Sequence, residues 1–257
     1  MTMKKIYLLA VLALCMVNCK DKNTSDKSNS ITIETREFHG EVDENCVEDN
    51  CTEISIEVPI ITAPENSAIA LINTTILNEV TEIASFEENL SDTSSYDDLI
   101  SSFITAYTSF IKKYTGEDLP WKAKIKVSTT FQNNEIYALN MEYYTFAGGA
   151  HGFKGEKSLL FDLETGKQIN AKELIKDWTS LSQIISDKLA YADDITEDGV
   201  LNYPEDIQIL EDTIIFGYTS SISFPISDTL DTLVLNKKEV ASFFNYNIFK
   251  EEVSETK

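Results

Sequence analysis

Arginine is nearly absent. Of 21 basic residues only Arg36 is one, set against 43 acidic side chains and a formal net charge of −22. Proteins that grip nucleic acid rely on clustered cations and bidentate guanidinium groups, so the composition argues against a nucleic-acid partner. Histidine occurs twice, at His39 and His151, and cysteine four times. A zinc site of four good ligands is hard to assemble from that stock. No serine elbow or reactive cysteine stands out to partner a histidine. The longest apolar run falls short of the roughly 20 residues that a membrane-spanning helix needs, and no internal repeat is visible. What is present is a chain of 257 residues with 42% hydrophobic and 10% aromatic side chains. That is enough for one large or two small folded domains with a substantial core.

The first residues read as an address. Lys4 and Lys5 precede the apolar run Ile6 to Val17, the pattern of an export signal. The run ends Met16-Val17-Asn18-Cys19 and turns polar at Lys20-Asp21-Lys22. This resembles a bacterial lipoprotein signal in which residues 1–18 are removed and Cys19 is lipidated, with Cys15 a poorer candidate. The alternative is an ordinary signal peptide carrying a chance cysteine. The first reading implies a membrane partner through the N-terminal lipid and a place in the cell envelope, periplasmic or on the outer-membrane surface. The charged triplet after the cysteine resembles a surface-export tag. Residues 19–52 are expected to be a flexible acidic tether, since eight acids and one base lie between Glu34 and Glu53. Cys46 and Cys51, spaced C-x4-C in an oxidising compartment, are expected to form a disulfide.

Residues 53–250 are expected to fold, as parts 53–150 and 151–250. Ile54, Ile56, Val58 and Ile60 alternate with polar residues and Pro59, a strand with one buried face. Thr62, Pro64 and Glu65 read as the capped start of a helix. Ile69, Ile72, Ile76, Val80 and Ile83 give that helix its inner stripe, and Leu99, Phe103, Tyr107, Phe110 and Tyr114 give a second, ending at Lys112 and Lys113. The period then changes to two over Trp121–Phe131 and Ile136–Phe146, with a third strand at Lys157–Leu163. A helix at Ser180–Tyr191, a hairpin at 207–218, a strand at Leu230–Leu235 and a short helix at Lys237–Phe244 follow. The class is α+β: a mostly antiparallel sheet with two longer N-terminal helices and shorter C-terminal ones.

Three patterns stand out chemically. Tyr143-Tyr144-Thr145-Phe146-Ala147-Gly148-Gly149-Ala150-His151-Gly152 places three of nine glycines and one imidazole after an aromatic strand. Such a loop allows close approach of backbone or ligand, or His151 simply fixes the loop. Asp194, Thr196, Asp198, Val200 and Glu205, with Gly199 at the sixth position, match the spacing of a calcium loop. Pro204 and the strand-like Ile207–Leu210 deny that loop its exit helix, and an exposed acidic turn is the plainer reading. No cofactor other than possible calcium is indicated. Lys122, Lys124 and Lys126 form one strand face, suited to solvent or to an anionic glycan.

The glycine-histidine segment is followed by Phe161-Asp162-Leu163-x-Thr165-Gly166-Lys167 and Glu173-Leu174-Ile175. Together they resemble the extracytoplasmic PdaC/RsiV-like family, a domain of unknown function 4163 followed by a domain of unknown function 3298. The likeness runs from Ile54, through the helix with Ile72-Asn73, to Phe216-x-Tyr218. Where the family often has a tyrosine-rich, glycine-containing segment, this chain has Thr219–Pro225. The family includes a lysozyme-sensing anti-sigma factor and the region ahead of the catalytic domain in a peptidoglycan deacetylase. The resemblance implies a non-catalytic binding or sensing module, with a cell-wall fragment or a lysozyme-like cationic protein as ligand. Tyr144, Gly148, Gly149, His151 and Gly152 are its candidate binding residues. The alternatives are a hydrolase or esterase using carboxylates and His151, and a structural part of a surface lipoprotein complex.

Overall fold

The computed structural model describes residues 31–42, 51–86, 93–114, 119–189, 196–197, 200–218 and 231–250. The expected signal segment, Cys19 and Cys46 lie outside them. Cys51 is buried and disulfide-bonded.

The main sheet has the order β1-β2-β3-β4-β5, from β1 (Thr32–Glu41), β2 (Glu53–Ala63), β3 (Lys122–Gln132), β4 (Ile136–Phe146) and β5 (Phe153–Asp162). All neighbours pair antiparallel except β2 and β3, which run parallel from Glu53↔Lys122 to Glu57↔Lys126. A parallel pair needs a crossover, and α1 (Ser67–Ala84) and α2 (Tyr96–Lys113) supply it. Strand β1 corrects the expected tether of residues 19–52. It pairs with β2 along its whole length, Thr32↔Ala63 to Glu41↔Glu53. Phe38 stacks on Tyr96 of α2 with ring centroids 4.7 Å apart, and a side chain at Gly40 would strike Ile100. Three of the acids that suggested a linker, Glu34, Glu37 and Glu41, are exposed along a sheet edge, where charge discourages further pairing.

Helix α1 begins later than Thr62 and Glu65 imply. Thr62 is still in β2 and its hydroxyl donates to Thr32 O, so the cap falls to Asn66, which accepts from Ile69 N at 2.9 Å. Ser95 caps α2 in the same way, and Lys112 and Lys113 occupy its last turn as the sequence indicated. Ile72, Ile76 and Val80 of α1 and Leu99, Phe103 and Tyr107 of α2 pack on one face of the sheet against Ile54, Ile56, Ile125, Leu139 and Met141. Trp121 sits in the middle of an aromatic group, 5.2 Å from the ring centroids of both Phe86 and Phe110.

The C-terminal part packs on the other face. It holds α3 (Ala171–Leu174), α4 (Trp178–Lys188), a two-stranded β6 (Thr196–Glu197) and β7 (Val200–Leu201), and a sheet of β8 (Asp206–Ile209), β9 (Thr213–Tyr218) and β10 (Asp231–Asn236). Asp177 caps α4 by accepting from Ser180 N, so this helix starts two residues before the expected Ser180. Leu181, Ile185, Ile209, Ile214 and Phe216 form a second core with Phe131, Ile136, Ala138 and Leu160 of the main sheet. The short α5 (Lys237–Val240) closes it, followed by a 3-10 turn at Ala241–Phe243.

That core contains one misfit. Lys237 is fully buried, its ammonium finds no hydrogen-bond acceptor among the described residues, and Nζ stands 3.6 Å from the centroid of Phe131. Burial lowers its pKa to about 8, against the pull of Asp212 and Glu211. A depressed lysine costs stability wherever the buried amine must carry its proton. The cost is therefore complete below pH 8 and fades as pH rises towards 10.5, where the unfolded chain also loses the proton. The shift corresponds to on the order of 3 kcal/mol, with about 2 returned by the aromatic face. Lys237→Met is expected to raise stability at pH 7 by about 1 kcal/mol or more. Chemical denaturation from pH 7 to 10.5 should show that gain shrinking; a pH-independent gain would contradict the account.

Candidate functional site

The glycine-histidine segment forms the tip of the β4–β5 hairpin, and the strand register explains its glycines. Tyr143 pairs with Gly155 and Tyr144 with Lys154. A Cβ at Gly155 would lie 2.2 Å from the Tyr143 ring, and one at Gly152 would lie 2.3 Å from the Tyr144 ring. Tyr143 thus lies across a glycine of the facing strand, and Tyr144 across the glycine just before it. Gly148 and Gly149 turn the chain at φ +94° and +99°, where other residues are strained. His151 is exposed, with Nδ1 3.3 Å from the carbonyl of its neighbour Gly152. Of the five candidate binding residues, Tyr144 lines a cavity described below. Gly148, Gly149, His151 and Gly152 shape the hairpin.

The second half of the motif is also structural. Asp162 Oδ1 accepts from the main-chain N–H groups of Glu164 and Thr165, and its carbonyl accepts from Gly166 N at 2.8 Å. The Tyr246 hydroxyl donates to Asp162 Oδ2. Gly166 has φ +74°, and a Cβ there would lie 2.3 Å from the Ala68 carbonyl oxygen. This turn therefore clamps the start of α1 to the end of β5. Asn73, in the middle of α1, makes a similar brace: its amide accepts from Ile61 N at 3.1 Å and donates to Ile61 O at 2.9 Å.

The open half of the sheet gives the first cavity. Beyond Asn140, β4 presents Glu142 and Tyr144 to a face that the C-terminal part does not cover. A groove of about 480 Å³ runs there between Ser55, Glu57, Lys124, Lys126, Glu142, Tyr144, Lys154 and Glu156. The lysine face noted in the sequence is not a free basic strip. Lys124 pairs with Glu53 at 2.8 Å and Lys126 with Glu57 at 3.3 Å. Asn140 donates to Glu156 at 2.7 Å, fixing one wall.

A second cavity, about 440 Å³, opens between β5, the segment 168–174 and the segment 203–207. Asp206 lines it. One oxygen of its carboxylate accepts from Ser158 N and the other from Ser158 Oγ, both at 2.7 Å. Burial raises its pKa above the ordinary carboxylate range, with Glu156 adding to the rise; the Ser158 hydrogen bonds and Lys157 oppose it. Sequence reasoning missed this residue because nothing distinguishes it among 43 acids. Its position at the start of an alternating strand was the only available signal. Asp206 holds Ser158, six residues along an extended strand from Gly152, so about 20 Å separates it from His151. The geometry brings no carboxylate–histidine pair together there.

The calcium spacing falls partly on described residues. Thr196 pairs with Leu201 and Glu197 with Val200 in an antiparallel ladder. Asp194 and Asp198 lie outside the described residues, and Glu205 N donates to Gly217 O.

Residues 46–154 match the family model described as Deacetylase PdaC. Two solved structures share the fold across most of the chain. A DUF3298 family protein from Pseudomonas aeruginosa PAO1 superposes with a TM-score of 0.55 at 13% identity, covering 87% of this chain and 98% of that one. A DUF3298 family member from Bacteroides fragilis NCTC 9343 gives 0.58 at 12%, covering 86% and 96%. No curated protein matches the chain significantly.

The two glycine contacts separate by experiment. Gly166→Ala forces a left-handed residue into main chain and is expected to lower stability by about 3 kcal/mol or more. At Gly152 the obstructing atoms are the far end of the Tyr144 ring, which can swing aside. Gly152→Ala is therefore expected to cost about 1 kcal/mol or less while moving that ring. Thermal melts of the two variants check the order; equal losses would refute the distinction.

Proposed function

We propose that this chain, whose residues 46–154 match the family model described as Deacetylase PdaC, is a non-catalytic, envelope-anchored domain that binds or senses a cell-wall fragment. PdaC-family domains are extracytoplasmic, and no helix among the described residues is long and apolar enough to cross a membrane. The observation that carries the reading is the groove over the uncovered half-sheet. It holds three lysines, three glutamates and the face of Tyr144, a set balanced in charge. Glycopeptide fragments of a cell wall carry sugars for an aromatic face and both amines and carboxylates for such pairs. The separation of His151 from Asp206 weighs against a hydrolase or esterase that uses both.

A second reading rests on one further observation, the net charge of −22. It favours a lysozyme-like cationic protein, whose encounter such a field accelerates by roughly one to three orders of magnitude at low salt. Calorimetry at physiological ionic strength, where the screening length is ~8 Å, tests both. Saturable one-site binding of a soluble muropeptide, weakened at least tenfold by Tyr144→Ala with Lys154→Ala, is the expected result. Saturable binding of lysozyme alone would transfer the site to the second ligand. Absence of saturation by either would sink the proposal.

The anchor is part of the same reading. On this reading a lipid on Cys19 would hold the domain on a membrane outside the cytoplasm, and Cys46 would be the partner of the disulfide-bonded Cys51. Cys19→Ala is expected to move the protein from the membrane fraction to the soluble envelope fraction, and alkylation of the denatured, non-reduced protein should find neither Cys46 nor Cys51 free.

A further inference from the structure

The Asp206 cavity has a different chemistry from the groove. Leu160, Ile169, Leu174, Pro204 and Ile207 supply its apolar surface, beside polar groups that include the Asp206 carboxylate. Lys157 does not neutralise that carboxylate directly, because its ammonium is bound to Glu79. At the rim, the Tyr203 ring is stacked on Trp178 with centroids 4.4 Å apart, and Lys172 Nζ stands 5.7 Å from its centre. The rim therefore already accommodates an ammonium over an aromatic ring.

We propose that this cavity receives a lysine side chain of a partner protein or peptide. The alkyl stem would lie along the apolar walls and the ammonium would meet Asp206. A carboxylate oxygen has two lone pairs, and each oxygen of Asp206 has given only one to Ser158. What remains suits a compact point charge. An arginine fork needs both oxygens along one edge, and Ser158 already straddles them. Glu156 and Glu205 add negative charge nearby, and the field of the whole chain draws cations towards it. Lys172 is exposed on a flexible stem and yields the rim to the incoming group.

The test is a backbone-amide NMR titration at physiological salt with the peptide Gly-Gly-Lys-Gly-Gly and its norleucine counterpart, which keeps the stem and lacks the charge. The lysine peptide should give saturable shifts centred on Ser158, Gln168 and Ile207, and the norleucine peptide at least tenfold weaker ones. Asp206→Asn is expected to weaken lysine-peptide binding at least tenfold. Because Asp206 also ties β8 to β5, a second variant guards against misfolding. Gln168→Trp plugs the cavity from an exposed position and should abolish the shifts. Equal binding of the two peptides, lysine binding undiminished in the folded Gln168→Trp protein, or shifts scattered over the acidic surface would each overturn the proposal. Gln168 is not part of the groove's lining, so the muropeptide titration of the Gln168→Trp protein distinguishes the two failures.

Discussion

Strand β4 is buried on both faces over its first half and carries no fully buried residue over its second, and the rest of the molecule depends on that change. From Ile136 to Met141 every residue is buried. Tyr137, Leu139 and Met141 enter the core under α1 and α2, while Ile136 and Ala138 enter the core of the C-terminal part. Because strand side chains alternate at a period of two, a slip of one residue would exchange the two cores, so the register is strongly fixed. Beyond Asn140 the outer parity becomes Glu142 and Tyr144, and the second layer ends there. The groove is the uncovered remainder of a face that begins as a core.

Several local devices follow from the same arrangement. The parallel β2–β3 pairing stops at Glu57↔Lys126, so farther along, the main chain at Ile61 lacks a strand partner on that side. Asn73 satisfies both its groups with one amide. Leaving such a pair unmet costs roughly 1–3 kcal/mol for each buried group, which accounts for a polar residue in an otherwise apolar helix stripe. The Asp162–Gly166 turn fastens the same helix at its start. Through Tyr246 it also fastens the C-terminal segment, so one tight turn joins both layers to the sheet.

The sequence displayed periodic elements well and exceptional ones poorly. The stripes of α1 and α2 and the alternation of β2, β3 and β4 were legible, because burying one face of a regular element leaves a period. Strand β1 was hidden: only Ile33 and Phe38 turn inward, and the acids between them resemble a linker. The α1 cap was misplaced because Thr62 and Glu65 make a good local pattern that β1 pairing overrides. At the candidate site, composition marked the glycine hairpin, yet backbone angles and tyrosine rings explain its glycines. Asp206 carries the perturbed carboxyl of the second cavity and was marked only by its place at the start of a strand, since its environment comes from Ser158, Leu160 and Ile169, distant in the chain.

The two cavities share β5 as a wall. Glu156 faces the groove and Ser158, two residues on, presents its N–H and hydroxyl to Asp206. Successive residues of one parity share a sheet face, so the groups stand near each other without touching the same solvent. The negative charge of Glu156 is one of the causes that hold the Asp206 pKa up. A cation settling on Glu156 removes part of that repulsion and makes ionised Asp206 less costly. By linkage, ionised Asp206 in turn strengthens the hold of Glu156 on any cation. Asn140 keeps the effect local by donating to Glu156 and fixing where its charge resides. What links the groove to the second cavity along β5 is thus electrostatic: the repulsion from Glu156 that adds to the burial of Asp206.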